Sequence, residues 1–287
     1  MVGPVIGRLG IVGAGVMGSG IAQAAITAGW PTVVHDIDPA RMDSAAATIA
    51  SRLARAVEKG TLTASDRDAA LSRLSFVRDL VDLGGVTLVL EAATEAIEPK
   101  RSIMRALDDL FPTDVVLGTN TSSLSISEIA DATQHPERVV GIHFFNPAPV
   151  MRLVEVIPGR LTPSEVVEAA KRFALDLGKT PVVAIDRAGF IVSRILDVMV
   201  NEAIKCVMDG NSVDDVDTAM RLGANLPIGP LALADLMGLD VLTSVLDRLA
   251  DGLDSESYRP ASALREHVAN GRLGRKSGQG FYEYSEG

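Results

Sequence analysis

Cysteine, long apolar runs and positive charge are all scarce in this chain of 287 residues. Its one cysteine, Cys206, excludes an intrachain disulfide and favours a reducing compartment, so we expect a cytoplasmic protein. The apolar neighbours Ile204 and Val207 predict that this thiol is packed in a core. No run of about 18 apolar residues is present, which predicts no membrane-spanning segment. Glycines break the apolar run within residues 1–20 and no cleavage site follows it, so we expect no signal peptide.

The 27 lysines and arginines are outnumbered by 37 aspartates and glutamates, which gives a formal net charge of −10. This balance argues against a nucleic-acid partner, and any anionic ligand would need locally basic residues. The length exceeds what one compact domain usually needs and fits two. We find no internal repeat and no low-complexity tract, and we expect no bound metal.

Apolar strand-like runs alternate with helix-like segments as far as Asp186. The runs predict strands at 8–13, 31–36, 86–91, 115–119, 139–145, 152–157 and 180–185, with helices between them. Asp38 and Thr63 are predicted to cap helices, and Thr162-Pro-Ser-Glu165 has the pattern of a capping box. Such alternation predicts a largely parallel sheet that is covered by helices on both faces.

The alternation of strand and helix patterns ends at Asp186-Arg-Ala-Gly189, after which strand-like runs are almost absent. Helical patterns follow at 190–208, 213–222, 230–250 and 260–270. We therefore predict an α/β, Rossmann-type doubly wound domain with a mostly parallel sheet over residues 1–187. An all-α domain over residues 188–287 is predicted to follow it.

The segment Gly13-Ala-Gly-Val-Met-Gly18 has the pattern G-x-G-x-x-G between a predicted strand and a predicted helix. In this context Gly13 permits a tight turn, Gly15 lets a pyrophosphate approach the backbone, and Gly18 allows close packing. The first helical residues, Val16 and Met17 among them, would present backbone N–H groups to the phosphates. The alternative is a glycine turn with a purely structural role.

An acidic residue, Asp36, ends the next predicted strand. Its carboxylate is suited to accept hydrogen bonds from the adenosine ribose of a dinucleotide, and it would repel a 2′-phosphate. The following residue, Ile37, supplies no compensating positive charge. The sequence therefore predicts NAD as cofactor rather than NADP.

The segment from His143 to Glu155 places an imidazole and a carboxylate at the two ends of a short apolar stretch. Pro147 and Pro149 predict a bend between them, since neither can donate to a sheet ladder. A bend would bring the two side chains together from neighbouring extended runs. A carboxylate beside a histidine suits a general base that works near neutral pH. The alternative is that His143 ends a strand and hydrogen-bonds to a backbone carbonyl.

Together these motifs resemble the L-3-hydroxyacyl-CoA dehydrogenase family, in particular its bacterial 3-hydroxybutyryl-CoA dehydrogenases. The resemblance covers nearly the whole chain. Besides the glycine segment, it is carried by Glu91-Ala-Ala-Thr-Glu95, Asn120-Thr-Ser-Ser-Leu124, His143-Phe-Phe-Asn-Pro147, Val150-Met-Arg-Leu-Val-Glu155, Gly189-Phe-Ile-Val192, Gly229-Pro-Leu-Ala-Leu-Ala-Asp235 and Leu273-Gly-Arg-Lys-Ser-Gly-Gln-Gly-Phe-Tyr282. It implies NAD-dependent oxidation of a 3-hydroxyacyl thioester, as in fatty acid metabolism, most of all of (S)-3-hydroxybutyryl-CoA. It also implies a homodimer that forms through the helical domain.

The resemblance implies a catalytic role for three residues. His143 matches the family's base, Glu155 its partner, and Ser122 the serine that hydrogen-bonds the reacting oxygen. From the residues alone, Ser122 is as readily explained as a cap for the short helix near Ser125.

The resemblance also implies binding residues. Glu95, Lys100 and Lys276 match residues near the nicotinamide half of NAD. Ser122 is also implied to contact the cofactor, and Asn146 matches a residue at the junction of substrate and cofactor. The residues that meet the CoA substrate are Ser122, Asn146, Ser193, Lys59 and Arg52. Lys59 matches a position that meets the CoA phosphates, and Arg52 falls where relatives also contact CoA, although the residue type differs. From the residues alone, Lys100 and Lys276 are as readily explained as solvated lysines.

The chain departs from the family pattern at Ser193, where an asparagine is usual, and at Ala96, where an asparagine is also usual. A serine hydroxyl is shorter than an asparagine amide and cannot offer the same pair of donor and acceptor. These changes leave the substrate open. One alternative is a glyceryl group tethered to an acyl carrier protein, in the synthesis of hydroxymalonyl or methoxymalonyl extender units. Another is a non-catalytic nucleotide-binding protein on the same fold.

Overall fold

The computed structural model describes residues 7–284. Residues 1–6 and 285–287 lie outside the described part. The outer ends of the two predicted domains, and part of the segment for which no signal peptide is expected, therefore fall outside it. The described chain forms two compact units, the first ending at Asp186 and the second beginning at Arg187. None of the helices within residues 7–284 is long and apolar enough to cross a membrane.

The first unit is built on one eight-stranded sheet with the strand order β3-β2-β1-β4-β5-β6-β7-β8. The strands are β1 (Leu9–Val12), β2 (Thr32–His35), β3 (Leu74–Val77), β4 (Leu88–Glu91), β5 (Val116–Thr119), β6 (Val139–Phe144), β7 (Leu153–Pro158) and β8 (Thr180–Val183). All neighbours are parallel except β6 and β7. That pair is antiparallel because the connection between its strands is too short for a crossover, which needs a dozen or more residues.

Six helices surround the sheet: α1 (Val16–Thr27), α2 (Pro39–Glu58), α3 (Ala64–Leu71), α4 (Ile97–Leu110), α5 (Ile126–Ala130) and α6 (Ser164–Asp176). The largest apolar core lies between the sheet and α1, α2 and α6. Its aromatic centre is Phe173, whose ring centroid lies 5.1 Å from that of Trp30 and 6.2 Å from that of Phe144. The predicted doubly wound, mostly parallel architecture is confirmed.

Local capping was predicted with mixed success. Asp38 caps α2 and Thr63 caps α3, as predicted. The capping box at Thr162 is wrong, because its hydroxyl donates to the Val139 carbonyl at 2.6 Å and accepts from the Gly159 N–H at 2.9 Å. Helix α6 begins at Ser164 without a side-chain cap. Strand β3 was not predicted, because it is short and only half-buried.

The second unit consists of α7 (Val192–Met208), α8 (Val213–Gly223), α9 (Pro230–Met237), α10 (Leu239–Gly252) and α11 (Ser262–Ala269). The helical character of this region is confirmed. The pattern predicted over 230–250 is two helices, because Gly238 between them adopts φ 97°. The predicted burial of Cys206 is wrong: α7 turns Val200 and Ile204 towards the core, and the cysteine lies on the exposed side of the helix.

Candidate active site

The glycine segment forms a tight turn between β1 and α1. Gly13 has φ 108°, and a Cβ there would lie 2.6 to 2.7 Å from the backbone of Ala92 and Ala93. A Cβ at Gly18 would overlap the Gly13 carbonyl oxygen, so this third glycine is required by the turn itself. A Cβ at Gly15 would have nothing within 4 Å. The space over Gly15 is therefore open where the fingerprint calls for a pyrophosphate.

The start of α1 supplies donors to that space. Gly15 is its N-cap and provides no side-chain acceptor, so the first N–H groups of the helix, including those of Val16 and Met17, are not capped by it. The buried carboxylate of Asp36 supports the turn: Oδ2 accepts from the Ala14 N–H at 2.8 Å and Oδ1 from the Asp38 N–H at 2.9 Å. A carboxylate can accept about four hydrogen bonds, so Asp36 retains capacity for ribose hydroxyls. These features fit a dinucleotide.

His143 and Glu155 are direct cross-strand partners in the register of β6 and β7. Both side chains are buried, and His143 Nδ1 lies 2.8 Å from Glu155 Oε2. An ionised carboxylate only accepts, so Nδ1 carries the proton in this contact, and in the neutral ring Nε2 is then the basic nitrogen. The strands are joined by a turn at Pro147, whose carbonyl accepts from the N–H groups of Val150 and Met151. The predicted bend and pairing are both present.

Lys179 holds this connection in place and was missed from the sequence. Its buried ammonium donates to the carbonyls of Ala148 at 2.7 Å, Pro149 at 3.1 Å and Met151 at 2.7 Å. Burial lowers the pKa of Lys179 from its ordinary value. A lysine just before an edge strand carries no signal of such a contact, because its three acceptors are all backbone atoms.

Ser122 lies in the loop after β5, and its hydroxyl is 3.0 Å from Glu95 Oε1. The same carboxylate oxygen accepts from the backbone N–H of Ser122 at 2.9 Å and from the hydroxyls of Thr121 and Ser123. Ser122 is not the cap of α5. That role belongs to Ser125, which accepts from the Glu128 N–H.

Lys100 is buried rather than solvated, which removes the simpler explanation of this residue. Its ammonium lies 2.5 Å from Glu91 Oε2 and 3.8 Å from Glu95 Oε2. Glu91 ends β4 and is itself completely buried; its Oε2 also accepts from the Thr119 hydroxyl at 2.8 Å. Glu91 belongs to one of the family motifs, but no role was predicted for it from the sequence.

Two asparagines flank the end of β6 in different states. Asn146 lies two residues after the strand that carries His143 and is exposed. Asn120, which was given no role from the sequence, accepts from the Phe144 N–H through Oδ1 at 2.8 Å. It thereby ties the loop that carries Ser122 to the strand that carries His143.

The two residues predicted to bind the CoA moiety are both associated with α2. Arg52 is exposed on α2, and Lys59 is the exposed C-cap residue of the same helix. Their spacing of seven residues puts them on one face of the helix. Two exposed cations on one face supply the local positive charge that an anionic ligand of this acidic chain requires.

The two remaining predicted site residues belong to the second unit. Ser193 is the second residue of α7 and is half-buried. Lys276 is not simply solvated, because its ammonium contacts both carboxylate oxygens of Asp240, at 2.5 and 2.7 Å. Its segment is anchored by the buried Asp235, which accepts from the N–H groups of Phe281 and Tyr282.

A glycine turn that fits a dinucleotide and a buried imidazole–carboxylate pair on the same sheet define an NAD-dependent dehydrogenase. Comparison with known proteins makes the class specific. Residues 8–187 match the family model for the 3-hydroxyacyl-CoA dehydrogenase NAD-binding domain, and residues 189–284 match the model for the C-terminal domain. The chain belongs to the 3-hydroxyacyl-CoA dehydrogenase family, and the resemblance stated from its motifs is confirmed.

Individual relatives are similar over their whole length. The chain is 44% identical to the 3-hydroxybutyryl-CoA dehydrogenase of Bradyrhizobium diazoefficiens, over 98% of this chain and 96% of the relative. It is 42% identical to a probable 3-hydroxybutyryl-CoA dehydrogenase of Bacillus subtilis, over 98% of each chain. The crystal structure of the (S)-3-hydroxybutyryl-CoA dehydrogenase from Ralstonia eutropha superimposes with a TM-score of 0.95 at 43% identity, covering 98% of this chain and 100% of that one.

Proposed function

We propose that this protein catalyses the reversible, NAD-dependent oxidation of (S)-3-hydroxybutyryl-CoA to acetoacetyl-CoA. The observation that carries the proposal is the buried contact of 2.8 Å between His143 Nδ1 and Glu155 Oε2. The names of the similar proteins favour this CoA thioester over a substrate on an acyl carrier protein and over a non-catalytic role.

Oxidation of a secondary alcohol removes a proton from the hydroxyl oxygen and a hydride from the carbon. Bound NAD supplies the acceptor for the hydrogen that leaves carbon. His143 takes the hydroxyl proton at Nε2, because its Nδ1 is already engaged by Glu155. Glu155 then stabilises the imidazolium that forms, and burial of both side chains strengthens this interaction. In the reverse direction the imidazolium returns the proton to the carbonyl oxygen.

The cofactor proposal rests on the turn and on Asp36. Gly13 and Gly18 permit the tight turn, and Gly15 leaves open space for the pyrophosphate. The N–H groups of Val16 and Met17 lie at the end of α1 that favours phosphate. The buried carboxylate of Asp36 supports NAD over NADP, because a 2′-phosphate would meet its negative charge.

The other binding roles are proposed from the family pattern. Ser122 hydrogen-bonds the reacting oxygen, and Asn146 lies where substrate and cofactor meet. Lys59 binds the CoA phosphates, Arg52 also contacts CoA, and Ser193 contacts the acyl group. The residues proposed to surround the nicotinamide half are Glu95, Lys100, Ser122, Asn146 and Lys276. We also propose that residues 188–287 contribute to the substrate site and form the interface of a homodimer.

The test is oxidation of NADH in the presence of acetoacetyl-CoA by the parent and by His143→Gln. Loss of a general base typically costs about a hundredfold to ten-thousandfold, so we expect kcat to fall within that range. His135→Gln is the matched control, because the His135 side chain is 44% exposed and its imidazole contacts the nearby Glu137. Equal rates for the parent and His143→Gln would contradict the proposal. NADPH in place of NADH tests the role of Asp36, and we expect much weaker activity with it.

A further inference from the structure

Glu91 and Lys100 form an ion pair that is withdrawn from solvent, with exposed fractions of 0% and 1%. Both oxygens of the Glu91 carboxylate accept hydrogen bonds: Oε1 accepts from the Ala93 N–H at 2.8 Å, and Oε2 accepts from Lys100 and Thr119. Glu91 also ends the strand that pairs with Val12, directly before the glycine turn. The pair therefore lies at the point of the sheet where ligands bind in this class of fold.

The carboxylate of Glu95 is shared between two neighbours. Its Oε1 accepts from four donors in the loop of Thr121, Ser122 and Ser123, at 2.8 to 3.3 Å. Its Oε2 lies 3.8 Å from the Lys100 ammonium, which is beyond a direct hydrogen bond. The ammonium is held instead by Glu91, at 2.5 Å.

We propose that Glu91 is a positioning residue, which keeps Lys100 away from Glu95 so that Glu95 can hold the Ser122 loop. A buried ammonium that loses its carboxylate must find another, because an unpaired charge is costly in the interior. Glu95 is the other carboxylate that the structure places near Lys100. Without Glu91, Lys100 draws Glu95 towards itself and away from Ser122. The kinetic part of this inference rests on the proposed function of Ser122.

The variant Glu91→Gln tests this step, because it removes the charge but keeps an oxygen for the Ala93 N–H. We expect kcat/KM to fall at least tenfold through displacement of Ser122. Adding Lys100→Met removes the stranded ammonium, so a crystal structure of the double variant should show the Ser122 hydroxyl back within hydrogen-bond distance of Glu95 Oε1. A double variant in which Ser122 stays separated from Glu95 would overturn the proposal.

The matched control is Glu98→Gln. Glu98 lies on α4, the helix that carries Lys100, and its exposed carboxylate pairs with Arg101. The kcat/KM of this control variant should equal that of the parent. If Glu91→Gln does not fold, Lys100→Met alone is compared with the double variant. Adding Glu91→Gln to Lys100→Met should not lower kcat/KM, because no ammonium is left to draw Glu95 away. A further fall there would also overturn the proposal.

A crystal structure of Glu91→Gln gives a readout that needs no substrate. We expect the distance from Lys100 Nζ to Glu95 Oε2 to close from 3.8 Å to a hydrogen bond, and the Ser122 hydroxyl to separate from Glu95. An unchanged Glu95 would overturn the inference even if the enzyme proves active. A parent that fails to act on acetoacetyl-CoA would contradict the proposed function and leave this structural test intact.

Discussion

The two units of the molecule treat their buried carboxylates in different ways. In the first unit, Asp108 pairs with Arg138, Glu91 with Lys100 and Glu155 with His143. Each of these three acids meets a side chain that is positive or can become so, whereas Asp36, beside the glycine turn, accepts from backbone N–H groups. The pairing holds each of these three carboxylates in a fixed geometry that suits chemistry or rigid support.

In the described part of the second unit, the buried acids Asp217 and Asp235 accept from neutral donors, and the buried Asp197 is opposed by no basic side chain. Asp217 accepts from the N–H groups of Leu231 and Ala232 at the start of α9. Asp235 likewise accepts from backbone N–H groups of the C-terminal segment. Asp197 on α7 is 2% exposed, and burial alone raises its pKa to about 7. The comparison predicts that removing the basic partner of a buried acid lowers stability in the first unit. In the second unit, it predicts that replacing the buried acid Asp197 raises stability.

The largest effect is expected from Arg138→Met in the first unit. Arg138 donates to Asp108 Oδ1 at 2.7 and 2.9 Å and also to the carbonyl of Phe111, all in the interior. Although burial opposes ionisation, the hydrogen bonds from Arg138 and from the Gln134 N–H lower the pKa of Asp108. The variant strands that charge, so we expect a loss of about 3 to 5 kcal/mol in the free energy of unfolding, measured with urea.

Arg160→Met is the control for this prediction. Arg160 contacts Asp131 at 2.8 Å, but the two side chains are 65% and 47% exposed. An exposed pair contributes about 0 to 1 kcal/mol, so this variant should be nearly neutral. Similar losses for both variants would mean that burial does not determine the strength of these pairs.

The opposite sign is expected from Asp197→Asn in the second unit. The folded-state pKa is about 7 against an ordinary value of 3.8, so the folded state binds the proton more tightly than the unfolded state. Stability from this group is therefore complete below about pH 4, falls as the pH rises towards 7 and is constant above it. At about 1.4 kcal/mol per pKa unit, the asparagine variant should gain as much as about 4 kcal/mol over the parent at pH 8.

Hydrogen exchange of the α7 amides, followed in parent and variant, measures this gain within the second unit. The advantage of Asp197→Asn should vanish near pH 4, where the aspartate is protonated in both states. An advantage that is the same at pH 4 and pH 8 would show that ionisation is not its cause.

The elements whose evidence is local could be predicted from the sequence. The glycine turn, the caps at Asp38 and Thr63, and the pairing of His143 with Glu155 each depend on residues a short distance apart in the chain. The proline-containing connection limits where the second strand can run, so the antiparallel partner of His143 is restricted to a few residues.

Contacts between distant residues could not be predicted. Thr162 has the pattern of a helix cap, but its hydroxyl is used by Val139, 23 residues away. Lys179 and Glu91 have partners that come together only once the sheet has formed. Cys206 has apolar neighbours in sequence, but adjacent helical residues point to different faces, so that pattern does not report burial.

The smallest effect is expected from Asp235→Asn, which removes an acid that neutral groups hold in the second unit. Asp235 Oδ1 accepts from the Phe281 N–H, and Oδ2 accepts from the Tyr282 N–H and the Tyr284 hydroxyl, all at 2.9 to 3.0 Å. An asparagine keeps one acceptor and turns an amino group towards donors. No positive charge is stranded, so we expect a loss of about 1 to 2 kcal/mol.

This loss should be confined to the C-terminal segment, because a Cβ at Gly274 or Gly280 would overlap Asp235 and the segment is packed directly on it. Trypsin cleavage after Arg272 and Arg275 is the sensitive measurement, and we expect it to be several times faster in the variant. The exposed Asp209, at the end of α7, gives the control Asp209→Asn, which should be cleaved like the parent. A loss in Asp235→Asn as large as in Arg138→Met would remove the distinction between the units, because acids held by neutral donors would then matter as much as acids held by cations.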